Sequence, residues 1–154
     1  MIPRGATIFF VVGIFGAAAL GAYLSQIANQ TPTLVYESGL SLTVIPEKIN
    51  YRLGEPIHIR IINSGTVPLT FSDSSYGLRI VGLDGTVIFS PISAKVVYIL
   101  NPKEEKTFVW DQTKTDGSKI FQGRYKIVSS TLPDLGNVLK KSVTINIFKQ
   151  NKLI

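Results

Sequence analysis

The chain has 154 residues, a formal net charge of +6 and no cysteine, with 45% apolar and 17% charged side chains. That length suits one ordinary domain with some chain to spare. The missing cysteines exclude a disulfide framework, a thiolate metal site and a cysteine nucleophile, and the scattered basic residues, with Lys140-Lys141 the longest run, exclude a nucleic-acid groove.

Mean hydropathy is +0.25, and much of the apolar excess lies in the first 30 residues. Residues 6–27, ATIFFVVGIFGAAALGAYLSQI, contain no charged side chain. As a helix they reach roughly 33 Å, enough for a hydrocarbon core of about 30 Å. Arg4 precedes the segment and the next basic residue is Lys48. The positive-inside rule therefore predicts a cytoplasmic N-terminus at 1–5, a transmembrane helix at 6–27 and everything beyond outside the cell. A cleaved signal peptide, with Ala19-Leu20-Gly21 at the cleavage site, competes with an uncleaved signal anchor. The anchor is preferred because the apolar stretch continues past that site. Arg4-Gly5 ahead of a long apolar run also bears a weak resemblance to an archaeal prepilin-type leader, although Thr7 to Val12 include no acidic residue. Gly13, Ala17 and Gly21 share one face at four-residue spacing, a track that lets a partner helix approach closely. The plainer account is that Gly and Ala are common in membrane helices.

Residues 28–39, ANQTPTLVYESG, are polar and aperiodic and read as a linker, with a sequon at Asn29-Gln30-Thr31. From residue 40 to 154 the period becomes two. In LSLTVIP, Leu40, Leu42 and Val44 share a face; in PIHIRIIN, Ile57, Ile59 and Ile61 oppose His58 and Arg60. Further strand-like runs are VPLTF, YGLRIVG, TVIFS, KVVYIL, KTFVWD, RYKIVS and SVTINIF. Turn chemistry separates them at Asn63-Ser64-Gly65, Asp84-Gly85, Asn101-Pro102, Asp116-Gly117 and Pro133-Asp134. The fold class that follows is all-β: an immunoglobulin-like antiparallel sandwich of about eight strands behind one N-terminal helix.

The stretch FVWDQTKTDGSKIFQGRYKI places Phe108 and Trp110 on one strand face, and Tyr125 and Ile127 likewise on the next strand. It reads as the core of a β-hairpin. Trp110 meets Tyr125, Asp116-Gly117 makes the connection, and Gly123 relieves a bend where a side chain would clash or force positive φ. Asp111 falls outside, next to the turn, where a carboxylate accepts backbone N–H groups.

Here the sequence resembles the BsuPI-type intracellular proteinase inhibitor domain. The resemblance runs from Asn63-Ser64-Gly65 and Phe71 through Tyr76, Leu78, Ile80, Asp84-Gly85-Thr86-Val87 and Phe89-Ser90. It continues with Leu100-Asn101-Pro102, Glu104, Thr107-Phe108-Val109-Trp110-Asp111, Asp116-Gly117 and Gly123-Arg124-Tyr125-Lys126-Ile127. It covers roughly residues 55–130 and implies a small immunoglobulin-like sandwich. For a protease inhibitor, the segment SPISAKVV would be the one candidate inhibitory loop. The chain departs from the family in its membrane anchor and in PISAKVV, where the family has a short polar-aromatic run.

Candidate chemistry is sparse. The single His58 lies on an outer strand face beside Arg60, with no nucleophile-elbow motif nearby. Carboxylates are scattered, and Asp73, Asp84 and Asp116 read as turn caps rather than calcium ligands. The glycines precede no helix, so no phosphate loop is predicted. The expectation is a non-catalytic chain with no metal and no cofactor, binding a protein partner at the cell surface or within a membrane complex. Alternatives are a subunit of a filament or membrane complex assembled through the first helix, including homo-oligomers, and a tethered protease inhibitor.

Overall fold

From residue 42 onward the two-residue period is realised as strands in the computed structural model, which describes residues 19–23, 32–134 and 136–150. The chain divides into two units, Met1–Gln30 and Thr31–Ile154. In the first, residues 19–23 are helical and exposed. A side chain at Gly21 would meet nothing within 4 Å. Among the described residues no helix is long and apolar enough to cross a membrane. The rest of the predicted span 6–27 lies outside the described residues, as do Gly13, Ala17, the Arg4-Gly5 leader and the Asn29 sequon.

Ten strands build the second unit: β1 (Leu42–Pro46), β2 (Asn50–Arg52), β3 (Ile57–Asn63), β4 (Leu69–Phe71), β5 (Arg79–Gly82), β6 (Val87–Phe89), β7 (Tyr98–Leu100), β8 (Glu105–Trp110), β9 (Gly123–Ser130) and β10 (Lys140–Phe148). They form a three-stranded sheet β1-β3-β8, a five-stranded sheet β2-β10-β9-β5-β6 and the pair β4-β7. Alternation decides which faces meet. Ile57, Ile59 and Ile61 of β3 are fully buried, while His58 and Arg60 are exposed. Burying one such side chain stabilises by about 1.5–3 kcal/mol. One core joins the layers, with Trp110 from the small sheet, Tyr51, Ile80, Ile127 and Ile145 from the large one, and Phe71 and Leu100 from the pair.

Two features differ from the sequence reading. Among the described residues the sheets hold ten strands rather than about eight, and β2 pairs with β10 in parallel, so the fold is not wholly antiparallel. With three residues and Tyr51 as its only apolar side chain, β2 carries no readable period. The expected hairpin of Trp110 and Tyr125 is also absent. β8 pairs with β3, and β9 pairs with β10 and β5, so residues 111–122 cross between layers. Trp110 and Tyr125 still meet, their rings edge-on with centroids 6.1 Å apart.

Open sheet edges invite unwanted pairing, and the outer strands of the two larger sheets each carry a guard. β1 ends in Pro46, which has no N–H to donate. On β6, the Thr115 N–H already bonds the Ile88 carbonyl at 3.1 Å. On β8, Lys106 shares the inward face of Phe108 and Trp110, its Nζ 5.9 Å from the Tyr76 ring centre. A docking strand would have to bury that charge. β2 is too short to template much.

Buried amides hold the two ends of this unit. At the near end, where residues 37–41 join the sheets, Asn63 is fully buried. Its Nδ2 donates to the Val67 and Leu100 carbonyls at 2.9 and 2.8 Å, and its Oδ1 accepts from Gly65 N–H at 3.0 Å. Residues 37–39, read as linker, are hydrogen-bonded here: Glu37 N–H donates to the Ser64 carbonyl, and Gly39 N–H to Thr66 Oγ1, both at 2.8 Å. A Cβ on Gly65 would lie 2.2 Å from the Gly39 carbonyl oxygen, so glycine lets the two backbones touch. At the far end, buried Gln112 plays the matching part. It accepts from Gly54 N–H and donates to the Arg52 and Glu55 carbonyls, all at 2.8 Å.

Candidate functional site

The connection β6–β7, residues 90–97, has the sequence SPISAKVV and no regular structure. Its middle is pinned to the turn after β4. Ala94 N–H donates to Ser74 Oγ at 3.0 Å, and Ser74 N–H donates back to the Ala94 carbonyl at 3.2 Å. On either side of the pin the apolar side chains point outward. Ile92 is 104% exposed, Val96 60%, Val97 59% and, on the adjoining strand, Ile99 56%. These four form an apolar ridge, and Lys95 lies within it.

The platform under the ridge is rigid. Asp73 caps its own turn, accepting from Ser75 N–H at 2.8 Å and from Ser75 Oγ at 2.5 Å. Burial pushes the Asp73 carboxyl up, but hydrogen bonds from Ser75, Ser72 and Ser93 outweigh it and hold it below the usual carboxylate range. Tyr76 follows at φ 52, where only a well-supported side chain persists. Its carbonyl accepts from Ser129 Oγ at 2.7 Å, and its ring lies 5.2, 5.7 and 6.3 Å from those of Phe71, Tyr98 and Phe108. Gly77, at φ 66, leaves no room for a Cβ, which would lie 2.1 Å from the Ser130 carbonyl oxygen. The middle of the ridge is thus tied to a well-bonded turn, and such anchoring lowers the entropy lost on binding.

The predicted hairpin-core residues form scaffold at the other crossing. Trp110 Nε1–H donates to the Thr113 carbonyl at 2.7 Å. Tyr125 O–H donates to the Phe121 carbonyl at 2.8 Å, and burial raises its pKa. Gly123 has φ 158, and a Cβ there would meet nothing nearer than the Tyr125 ring at 3.7 Å. Of the two reasons expected for that glycine, the steric clash does not arise, and the positive φ does. Asp111 and Asp116 cap as expected, accepting from Thr113 N–H at 3.1 Å and Ser118 N–H at 2.9 Å. Those bonds, led by the Thr113 and Ser118 hydroxyls, lower both carboxyl pKa values.

His58 is exposed on the outer face of the small sheet, directly opposite Val109. Beside it Arg60 pairs with Glu105 at 2.5 Å, an exposed ion pair worth little. No three His, Asp or Glu side chains gather for a metal ion among the described residues. At the near end, Leu40, Pro68, Leu132, Pro133, Val138 and Leu139 contribute to a shallow cleft of about 280 Å³. Sequence reasoning missed two buried amides, Asn63 and Gln112. The positive φ of 62 at Gln112 has no signature in residue type.

No family model matches the chain, and no curated protein is similar to it in sequence. Among solved structures, the sporulation control protein Spo0M of Bacillus subtilis aligns over 73% of this chain at 18% identity, with a TM-score of 0.44. The chain spans about half of Spo0M, 51% of its length. The CARDB domain of the PF1109 protein of Pyrococcus furiosus, solved in complex with di-metal ions, aligns over 76% of this chain and 95% of its own. Its identity is also 18% and its TM-score 0.39.

Proposed function

We propose that this chain is a single-pass, membrane-anchored interaction module. Its immunoglobulin-like sandwich stands outside the cell and binds a protein partner there or within a membrane complex, without catalysis. The observation that carries this reading is the apolar ridge of Ile92, Val96, Val97 and Ile99 on a pinned platform. Exposed aliphatic side chains held in fixed places are what a partner's pocket recognises. The guarded sheet edges favour loop contacts over strand addition. The immunoglobulin-like reading draws support from Tyr125, whose hydroxyl returns to the backbone four residues upstream near the start of β9, as in a tyrosine corner. The anchor reading rests on the uncharged run 6–27 and the Arg4 flank.

A second reading uses the same loop. A tethered protease inhibitor needs a convex segment held rigidly from beneath, and residues 90–97 have such a pin at Ser74.

The test is site-specific photo-crosslinking in native membranes, with the crosslinker at Ile92 and, as a control, at exposed Leu53 on the far end. A product from position 92 and none from 53 is the expected result. If position 92 gives no product, the ridge is not the contact surface. If the captured protein is a serine protease that the isolated domain slows, the second reading replaces the first.

A further inference from the structure

The near end carries a second exposed apolar feature, which the ridge does not explain. Leu40, Val67 and Val138 are 44%, 40% and 54% exposed; Leu40 and Val138 line the cleft with Pro68 and Pro133, and Val67 directly precedes Pro68. Charges on this end nearly cancel: Arg79, Lys103, Lys140 and Lys141 are exposed, and so are Glu37, Glu104 and Asp134. Glu104 is further occupied, its carboxylate accepting from Asn101 N–H at 2.7 Å.

We propose that this aliphatic rim rests on the lipid surface, inserted at the boundary between headgroups and acyl chains. The inference depends on the anchor reading. The first argument is reach. Residue 37 is already hydrogen-bonded to this end, and only residues 28–36 separate it from the apolar run. Nine residues span at most about 30 Å, so the tether keeps this end near the bilayer that the run enters. The second argument is chemistry. With charges nearly cancelling, headgroups attract this surface only weakly, and association falls mainly to the aliphatic side chains. Three half-exposed residues are too few for an untethered domain to bind, at roughly fivefold in partitioning each. The tether supplies the difference, since a short linker holds the rim at an effective concentration of about millimolar.

The chain has no cysteine, so single labels are clean. The full chain is placed in lipid nanodiscs carrying nitroxide on the headgroups, with a fluorophore at V138C or, at the opposite end, F121C. Quenching is expected to be several-fold stronger at 138 than at 121, little changed by added salt, and reduced to the level of 121 by L40S with V67S. Equal quenching at the two positions overturns the docking, as does indifference to L40S/V67S; strong salt dependence overturns the apolar mechanism. A chain that fails to co-elute with the discs sinks the anchor reading instead, and this inference with it.

Discussion

Residues 111–122 and residues 90–97 both carry the chain from one sheet to another, the first by tying down its polar groups and the second by exposing apolar ones. In 111–122, Gln112 is buried with three hydrogen bonds, Asp111 and Asp116 cap their turns, and Ile120 is buried. In 90–97 the middle is held by the Ser74–Ala94 exchange and the flanking aliphatics face water. Satisfying buried polar groups stabilises the fold, whereas leaving aliphatic side chains exposed serves the isolated fold not at all. The contrast separates a connection selected for stability from one free to serve recognition.

The largest expected effect lies in the first connection. Gln112→Ala removes the side-chain partner of the Glu55 carbonyl and the Gly54 N–H, while the Arg52 carbonyl keeps its bond from the Glu55 N–H at 3.1 Å. A fully buried group so orphaned costs about 1–3 kcal/mol; these two are part-buried and water reaches the turn, so urea denaturation should show a loss of about 2 kcal/mol. A loss below about 1 kcal/mol would mean that the turn is held by other means.

An intermediate effect comes with pH, and it acts on both connections. The carboxyls of Asp73, Asp111 and Asp116 are held below their ordinary values by Ser and Thr donors. Groups with lowered folded pKa contribute stability that is present above about pH 4 and lost as pH falls through the folded values. Tyr51 and Tyr125 are raised by burial, so their contribution is present below about pH 10 and lost as pH rises through the folded values. Thermal melts followed by circular dichroism should show a plateau between these limits and a fall on each side. An acid-side fall beginning near pH 6 would point to other groups.

The smallest effect is expected at the ridge. Ile92→Ser and Val96→Ser should each change stability by no more than about 0.5 kcal/mol, because both side chains are already in water. A destabilisation above about 1 kcal/mol in the same denaturation assay would make the ridge part of the fold and erase the comparison.

Strands with a clean two-residue period were legible from residue type. β3 is the plainest case, since Ile57, Ile59 and Ile61 fill the core as their spacing requires. Asp84-Gly85 joined β5 to β6 as its type demands, with Gly85 at φ 88. Pairing partners were less legible. The Trp110–Tyr125 contact was read correctly, but as a hairpin, because a shared core face looks the same in sequence whether two strands pair or stack. In the sequence Asn63 reads as a turn residue, and Gln112 is one polar residue in a polar connection. An amide carries no mark of burial until the carbonyls it bonds are brought around it. The candidate ridge was named only as SPISAKVV, and neither its exposure nor its pin follows from composition.

By itself the sequence determined that an uncharged run of 22 residues precedes a β-rich region, and which faces of the longer strands are apolar. Those properties are local, set by side-chain chemistry and the strand period. Tertiary structure decided that β8 and β9 lie in different layers, that β2 joins β10 in parallel, and that Ile92 faces water while Gln112 does not. Such outcomes depend on contacts between residues far apart in the chain, where several arrangements satisfy the same local pattern and the shared core selects one.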